Sequence, residues 1–124
     1  MELTKLERSI LESFCKAYCD DFPPLVQQMG AATVVKRETT RSGFFTDLAV
    51  APGIPPIRDC PSPLDGFAVP VEGIDEQLEL LLFIKDGYIN LLEGFSYRND
   101  NVGEVDLASV GFGEITSLWP IRKK

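Results

Sequence analysis

Apolar positions along this chain follow two periods, and the switch between them divides it. Near the start, Leu3, Leu6, Ile10, Leu11, Phe14 and Tyr18 recur at three- and four-residue steps, the stripe of an amphipathic helix. Thr4 and Glu7 fit a capping box, in which each side chain accepts from the other residue's free backbone N–H. The spacing predicts a helix over residues 4–18. Asp20-Asp21-Phe22-Pro23-Pro24 stops it and predicts a short second helix, Pro24–Met29, with proline in its first turn and Gly30 at its end.

Beyond Gly30 the period becomes two. Ala32–Thr39 alternates, with Val34 and Val35 on opposite faces. Thr40-Arg41-Ser42-Gly43 reads as a turn, and Phe44–Val50 returns with Phe44, Thr46, Leu48 and Val50 on one face. Residues 51–63 hold five of the nine prolines, which fix φ and remove ladder donors, so an extended surface segment is expected there. Phe67, Val69 and Val71 alternate around Pro70, which predicts an edge strand. Leu78–Lys85 and Tyr88–Tyr97 then form a hairpin about Asp86-Gly87, because a two-residue turn of this kind needs φ > 0 at both positions.

With Asp86 and Gly87 as the loop, simple counting places Ile84 opposite Ile89, Leu82 opposite Leu91, Leu80 opposite Glu93 and Leu78 opposite Phe95. That register makes one apolar face, interrupted only by Glu93, and one mixed face. The apolar face is expected to pack on the N-terminal helix. Val105–Gly113 and Ile115–Trp119 read as further strands. The order is helix, helix, two strands, loop, four strands. It predicts an α+β fold with an N-terminal helix and a short second helix on an antiparallel sheet, in a single domain spanning residues 1–124.

Composition narrows the chemistry. The chain has 124 residues, a net charge of −7 and no histidine. Without histidine there is no Ser-His-Asp or Cys-His arrangement and no histidine-ligated metal. Cys15, Cys19 and Cys60 show no framework spacing and read as reduced, packed thiols, so neither metal nor cofactor is expected. No basic segment followed by an apolar one opens the chain, and no apolar run approaches the length of a membrane span, which together predict a cytoplasmic protein. Ser13-Phe-Cys-Lys16 matches a Ser-x-x-Lys pattern without its companion motifs. Gly111-Phe-Gly113 lacks the third glycine of a dinucleotide loop. Paired carboxylates remain the one catalytic option, with Glu38, Asp47 and Glu93 around a pocket as the residues of a small hydrolase or ligand-binding protein.

The charge is unevenly placed. Residues 1–58 hold seven acids and seven bases, whereas residues 65–106 hold ten acids against Lys85 and Arg98. Arg122-Lys123-Lys124 forms a small basic tail. This balance argues against direct binding of nucleic acid and for a cationic protein partner. Glu72, Asp75, Glu76, Asp86, Asp100 and Glu104 fall at turns and loops beside the aromatic residues Tyr88, Tyr97 and Trp119. Acids for steering and aromatic side chains as anchors are the residue types of a protein interface.

Val35-Lys-Arg-Glu38-Thr39, Gly43-Phe-Phe-Thr46, Asp86-Gly87 and Leu92-Glu93-Gly94-Phe-Ser-Tyr97 together resemble a family of small bacterial proteins with the pattern Arg-Glu-x-Thr, Gly-Phe-Phe-Thr, Asp-Gly and Leu-Glu-Gly-Phe-x-Tyr. The resemblance covers residues 35–97 and gives Glu38, Thr46 and Glu93 motif status without a role. In size and charge the chain is also similar to immunity proteins of bacterial contact-dependent inhibition systems. That likeness implies an antitoxin that occludes the active site of a cationic toxin such as a nuclease. A structural subunit with a large exposed apolar patch is a third expectation.

Overall fold

The computed structural model describes residues 1–118. Helix α1 (Lys5–Tyr18) begins at Thr4, whose hydroxyl accepts from Glu7 N while the Glu7 carboxylate accepts from Thr4 N, so the expected capping box is present. Helix α2 (Pro24–Gly30) follows after Pro23. Six strands come next: β1 (Ala32–Thr39), β2 (Gly43–Val50), β3 (Leu64–Val69), β4 (Leu78–Lys85), β5 (Tyr88–Phe95) and β6 (Thr116–Ser117). They form one antiparallel sheet in the order β1-β2-β5-β4-β3-β6. The fold is α+β, with two helices packed on one face of the sheet.

Hydrophobic burial follows from that layering. Leu6, Ile10, Leu11 and Phe14 of α1 meet Leu78, Leu80, Leu82, Leu92, Phe67 and Val69 of the sheet, all buried. The Phe14 and Phe67 rings pack edge to face with centroids 5.2 Å apart, a favoured aromatic geometry. Across the sheet the inward rows read Arg37–Thr46–Leu92–Leu82–Leu64 and Thr39–Phe44–Gly94–Leu80–Phe67. Gly94 is required there, since a Cβ at this position would run into the Phe44 ring.

The central hairpin turns where expected, with φ 54° at Asp86 and 88° at Gly87. Its register differs from simple counting. Ile84 pairs with Ile89, but Phe83 pairs with Leu91, so Asn90 is an extra residue in β5. Such a bulge shifts every later pair by one, and in a strand a one-residue shift exchanges faces. Leu92 and Gly94 therefore point to the core, while Leu91, Glu93 and Phe95 point to the opposite face. Glu93 lies opposite Leu81, not Leu80, and away from the helices.

Two other expectations are corrected. β3 is not an edge strand: Phe67 and Ala68 pair with Ser117 and Thr116 of β6, and Pro70 lies just past the strand's end. The stretch Val105–Gly113 is not a strand. A 3-10 turn (Val102–Glu104) is followed by a turn in which Asp106 accepts from Ala108 N and Ser109 Oγ. Val105, Leu107, Val110 and Phe112 still pack against the core from this irregular path. In β1, Val35 falls at a second bulge and is 61% exposed. Trp119 and the basic residues 122–124 lie outside the described residues.

One buried polar side chain ties the hairpin to the rest. Gln28 of α2 is fully buried; its amide nitrogen donates to Pro55 O and Gly87 O, and its amide oxygen accepts from Ile89 N, each at 2.9 Å. The β2–β5 ladder ends at Asp47 and Leu91, so Gln28 supplies the acceptor for the Ile89 N–H beyond that end. It also holds the proline-rich segment, whose Ile57 is buried beneath the turn. Replacing Gln28 by Ala leaves the buried Ile89 N–H without its acceptor and removes the bonds to Pro55 O and Gly87 O, the latter still held by Ile57 N, and chemical denaturation should show a loss of about 2–3 kcal/mol.

Candidate functional site

Two polar features stand on opposite faces of the sheet. On the helix side, Glu7 is 4% exposed and accepts four hydrogen bonds: from Thr4 N and Arg37 Nη2 on Oε1, and from Arg37 Nε and Thr46 Oγ1 on Oε2. Arg37 and Thr46 are directly paired on β1 and β2, so one carboxylate clasps α1 to two strands. Burial works against the charge of Glu7, but the bonds from Arg37, Thr4 and Thr46 outweigh it and hold the carboxyl below its ordinary value of 4.5. The clasp lines a cavity of about 250 Å³ that also touches Glu38, Phe44, Phe45 and the loop 105–108. With both oxygens of Glu7 doubly occupied, no lone pair is left to act as a base. The residues Arg37 and Thr46 of the motif pattern are accounted for by this clasp, Gly94 by the Phe44 packing, and Gly43 by its close approach to the backbone of Gly94.

Among the described residues no helix lies on the other face. The register places Phe45 of β2, Leu91 and Phe95 of β5, and Leu81 and Phe83 of β4 together on it. All five are half-buried, and none belongs to the helix-side core or packs against it. Among the described residues nothing covers this surface. Its charged members are Glu38, Asp47, Glu79 and Glu93 against Lys36 and Lys85. Glu93 lies at the centre of the apolar group, in the row Glu38–Phe45–Glu93–Leu81. Its carboxylate accepts no hydrogen bond and joins no ion pair among the described residues, and burial by its apolar neighbours pushes its pKa up from 4.5.

The three carboxylates considered for catalysis share this face without forming a site. Phe45 stands between Glu38 and Glu93, which are two strands apart, roughly 10 Å in backbone spacing. Asp47 is in the neighbouring row, diagonal to Glu93, and among the described residues these cavities unite no more than one of the three. Nor do three groups of metal-ligating type converge anywhere among the described residues. Arg37, which could have neutralised Glu93, is on the other side of the sheet, engaged with Glu7.

The acids and aromatics considered for partner binding fall into two groups. Glu72, Asp75, Glu76, Asp100 and Glu104 are all exposed on loops at one end of the sheet. Asn99 binds those loops together, donating to Glu76 O and accepting from Glu76 N, and Asn101 donates to Gly73 O. Tyr97 is at the same end, 87% exposed, its ring 5.3 Å from that of Phe95. Asp86 and Tyr88 are at the far end of the hairpin, roughly 25 Å away for eight residues of strand. Tyr88 is half-buried, and its hydroxyl donates to Ile54 O, so it fastens the proline-rich segment and does not offer a free anchor. The open apolar face cannot be read from the alternation of β5, because it depends on the Asn90 bulge.

No protein-family model, no curated protein and no solved structure matches this chain. Its site therefore rests on its own geometry. No helix among the described residues is long and apolar enough to cross a membrane.

Opposite pKa displacements give two tests. The lowered carboxyl of Glu7 contributes stability above its unfolded value of 4.5 that is lost as pH falls through its folded value. Glu7→Gln should cost about 2 kcal/mol at neutral pH and flatten the acid limb of a stability–pH curve. The raised carboxyl of Glu93 has the reverse sign, its penalty appearing as pH rises through 4.5 towards the folded value. Glu93→Gln should raise the denaturation midpoint at neutral pH and leave it unchanged in strong acid.

Proposed function

We propose that this chain is a non-enzymatic protein-binding module, an immunity-type antitoxin that neutralises a cationic toxin such as a nuclease by covering its active site. The observation that carries this reading is the uncovered sheet face, with five half-buried apolar side chains around an unpaired carboxylate, next to an end of the sheet crowded with exposed acids. An apolar centre with a charged rim is the anatomy of a specific interface. The acids steer a basic partner, and the apolar patch supplies burial once it docks.

Self-association uses such a face less well. In a two-fold dimer the same patch meets itself, which would bring the acids Glu93, Glu79 and Asp47 of one copy up to the same acidic group of the other. A basic partner has the complementary charge. Occlusion asks for no chemistry from this chain, in keeping with a Glu7 whose oxygens are both engaged and with catalytic candidates that no cavity unites.

The test is a binding titration against the polypeptide encoded by the adjacent reading frame, together with an assay of that polypeptide's toxicity. The expected result is a stoichiometric, inhibited complex whose association slows as salt is raised. Asp75→Lys with Glu76→Lys should lower the association rate on the order of tenfold, the scale of electrostatic steering. Absence of a complex, or one indifferent to both salt and charge reversal, would contradict the reading.

A further inference from the structure

A hollow on the open sheet face has the composition of a receptor for one cationic side chain. It measures about 270 Å³ and is lined by Phe45, Glu93, Phe95 and Tyr97, with Thr40, Ser42, Gly43 and Gly94 closing its sides. That is at the small end of ligand pockets, which start at roughly 300 Å³, and is room enough for one long side chain. The hollow exists because of Gly43. That residue pairs with Phe95 on the outward row and brings no side chain to it, and a Cβ there would strike Gly94 O.

The lining groups agree on charge. Three aromatic rings line it, and a cation over the negative face of such a ring is attracted at distances up to about 6 Å. Phe95 and Tyr97 are tilted 47° to one another, so their faces are not spent on a mutual stack. Tyr97 is 87% exposed, an unusual position for a large ring with nothing above it. Glu93 supplies the one formal charge, unpartnered and half-buried among apolar side chains. Arg41 and Arg98, the nearest cations in sequence, are exposed; neither lines the hollow nor pairs with Glu93.

We propose that Phe45, Glu93, Phe95 and Tyr97 form a binding site for an arginine side chain presented by a basic protein. Arginine fits better than lysine, since its planar guanidinium both stacks on a ring and donates two parallel N–H bonds to one carboxylate. The proposal deepens the antitoxin reading by naming the contact at the centre of the interface, and for its biological partner it rests on that reading. The burial that makes an unpaired Glu93 costly is the same burial that strengthens its pairing once the cation arrives.

The site can be tested without any partner. N-acetyl-arginine amide, N-acetyl-lysine amide and N-acetyl-norleucine amide are titrated into the ¹⁵N-labelled full chain while amide shifts are followed. Saturable shifts confined to Gly43, Phe45 and residues 93–97, strongest for the arginine probe and absent for norleucine, are expected. Glu93→Gln, nearly isosteric, should weaken arginine binding on the order of tenfold, and Tyr97→Ala, an exposed change, several-fold. Shifts spread over all the acidic loops, or unchanged in Glu93→Gln, would overturn the site. If the arginine probe binds here while the adjacent-frame polypeptide forms no complex, the site stands and the antitoxin reading fails. If that complex forms with an affinity indifferent to Glu93→Gln and Tyr97→Ala, the reading stands and this site is overturned as its contact.

Discussion

The functional geometry of this protein depends on one extra residue in a β-strand. Asn90 has no partner in β4, and its insertion exchanges the two faces of β5 from Leu91 onward. Leu92 and Gly94 turn inward, where Leu92 fills the core and Gly94 makes room for Phe44. Leu91, Glu93 and Phe95 turn outward. Gln28 braces the strand on the near side of the bulge by accepting from Ile89 N, so the backbone donor next to the irregularity is bonded. Without the bulge, Glu93 would be pressed against α1 and the open face would lose its centre.

The two faces of the sheet then show two uses of the same side chain. Glu7 is a buried carboxylate and Glu93 a half-buried one. Glu7 has an arginine, a hydroxyl and a backbone N–H aimed at it, so its charge is compensated and it fastens α1 to β1 and β2. Glu93 has no such partners, and its charge is a liability to the free fold. A carboxylate kept unpaired amid apolar side chains is the pattern of a recognition site that trades some stability for function. Its natural complement is a cation from outside the chain.

Much of the fold was legible from sequence because its signals are local. Thr4 and Glu7 are three residues apart and Asp86-Gly87 is a dipeptide, so the helix start and the hairpin turn could be read directly. The layered arrangement followed from the change of period after Gly30. What could not be read depends on distant residues. The hairpin register is set by Gln28 and by where the β2–β5 ladder stops, neither of which is visible in the alternation of β5 itself. Arg37 is thirty positions from Glu7 in the chain, so its role as the partner of Glu7 and not of Glu93 appears only when α1 lies on β1. Val105–Gly113 looked like a strand because its apolar residues reach the core, but they do so from a turn organised by Asp106, a residue type that bonds its own following backbone. Tyr88 and Tyr97 are equivalent in composition terms, yet one is tied to Ile54 and the other stands in solvent.

Glu93 lies unpaired on the open face while Glu7 is compensated beneath the helix. A side-chain carboxyl titration by ¹³C NMR on the full chain separates them directly. The expected result is a Glu93 carboxyl titrating above 4.5 and a Glu7 carboxyl titrating below it. A Glu93 that titrates below 4.5 would mean that a cation of this chain already holds it, and the open face would not be the recognition surface described.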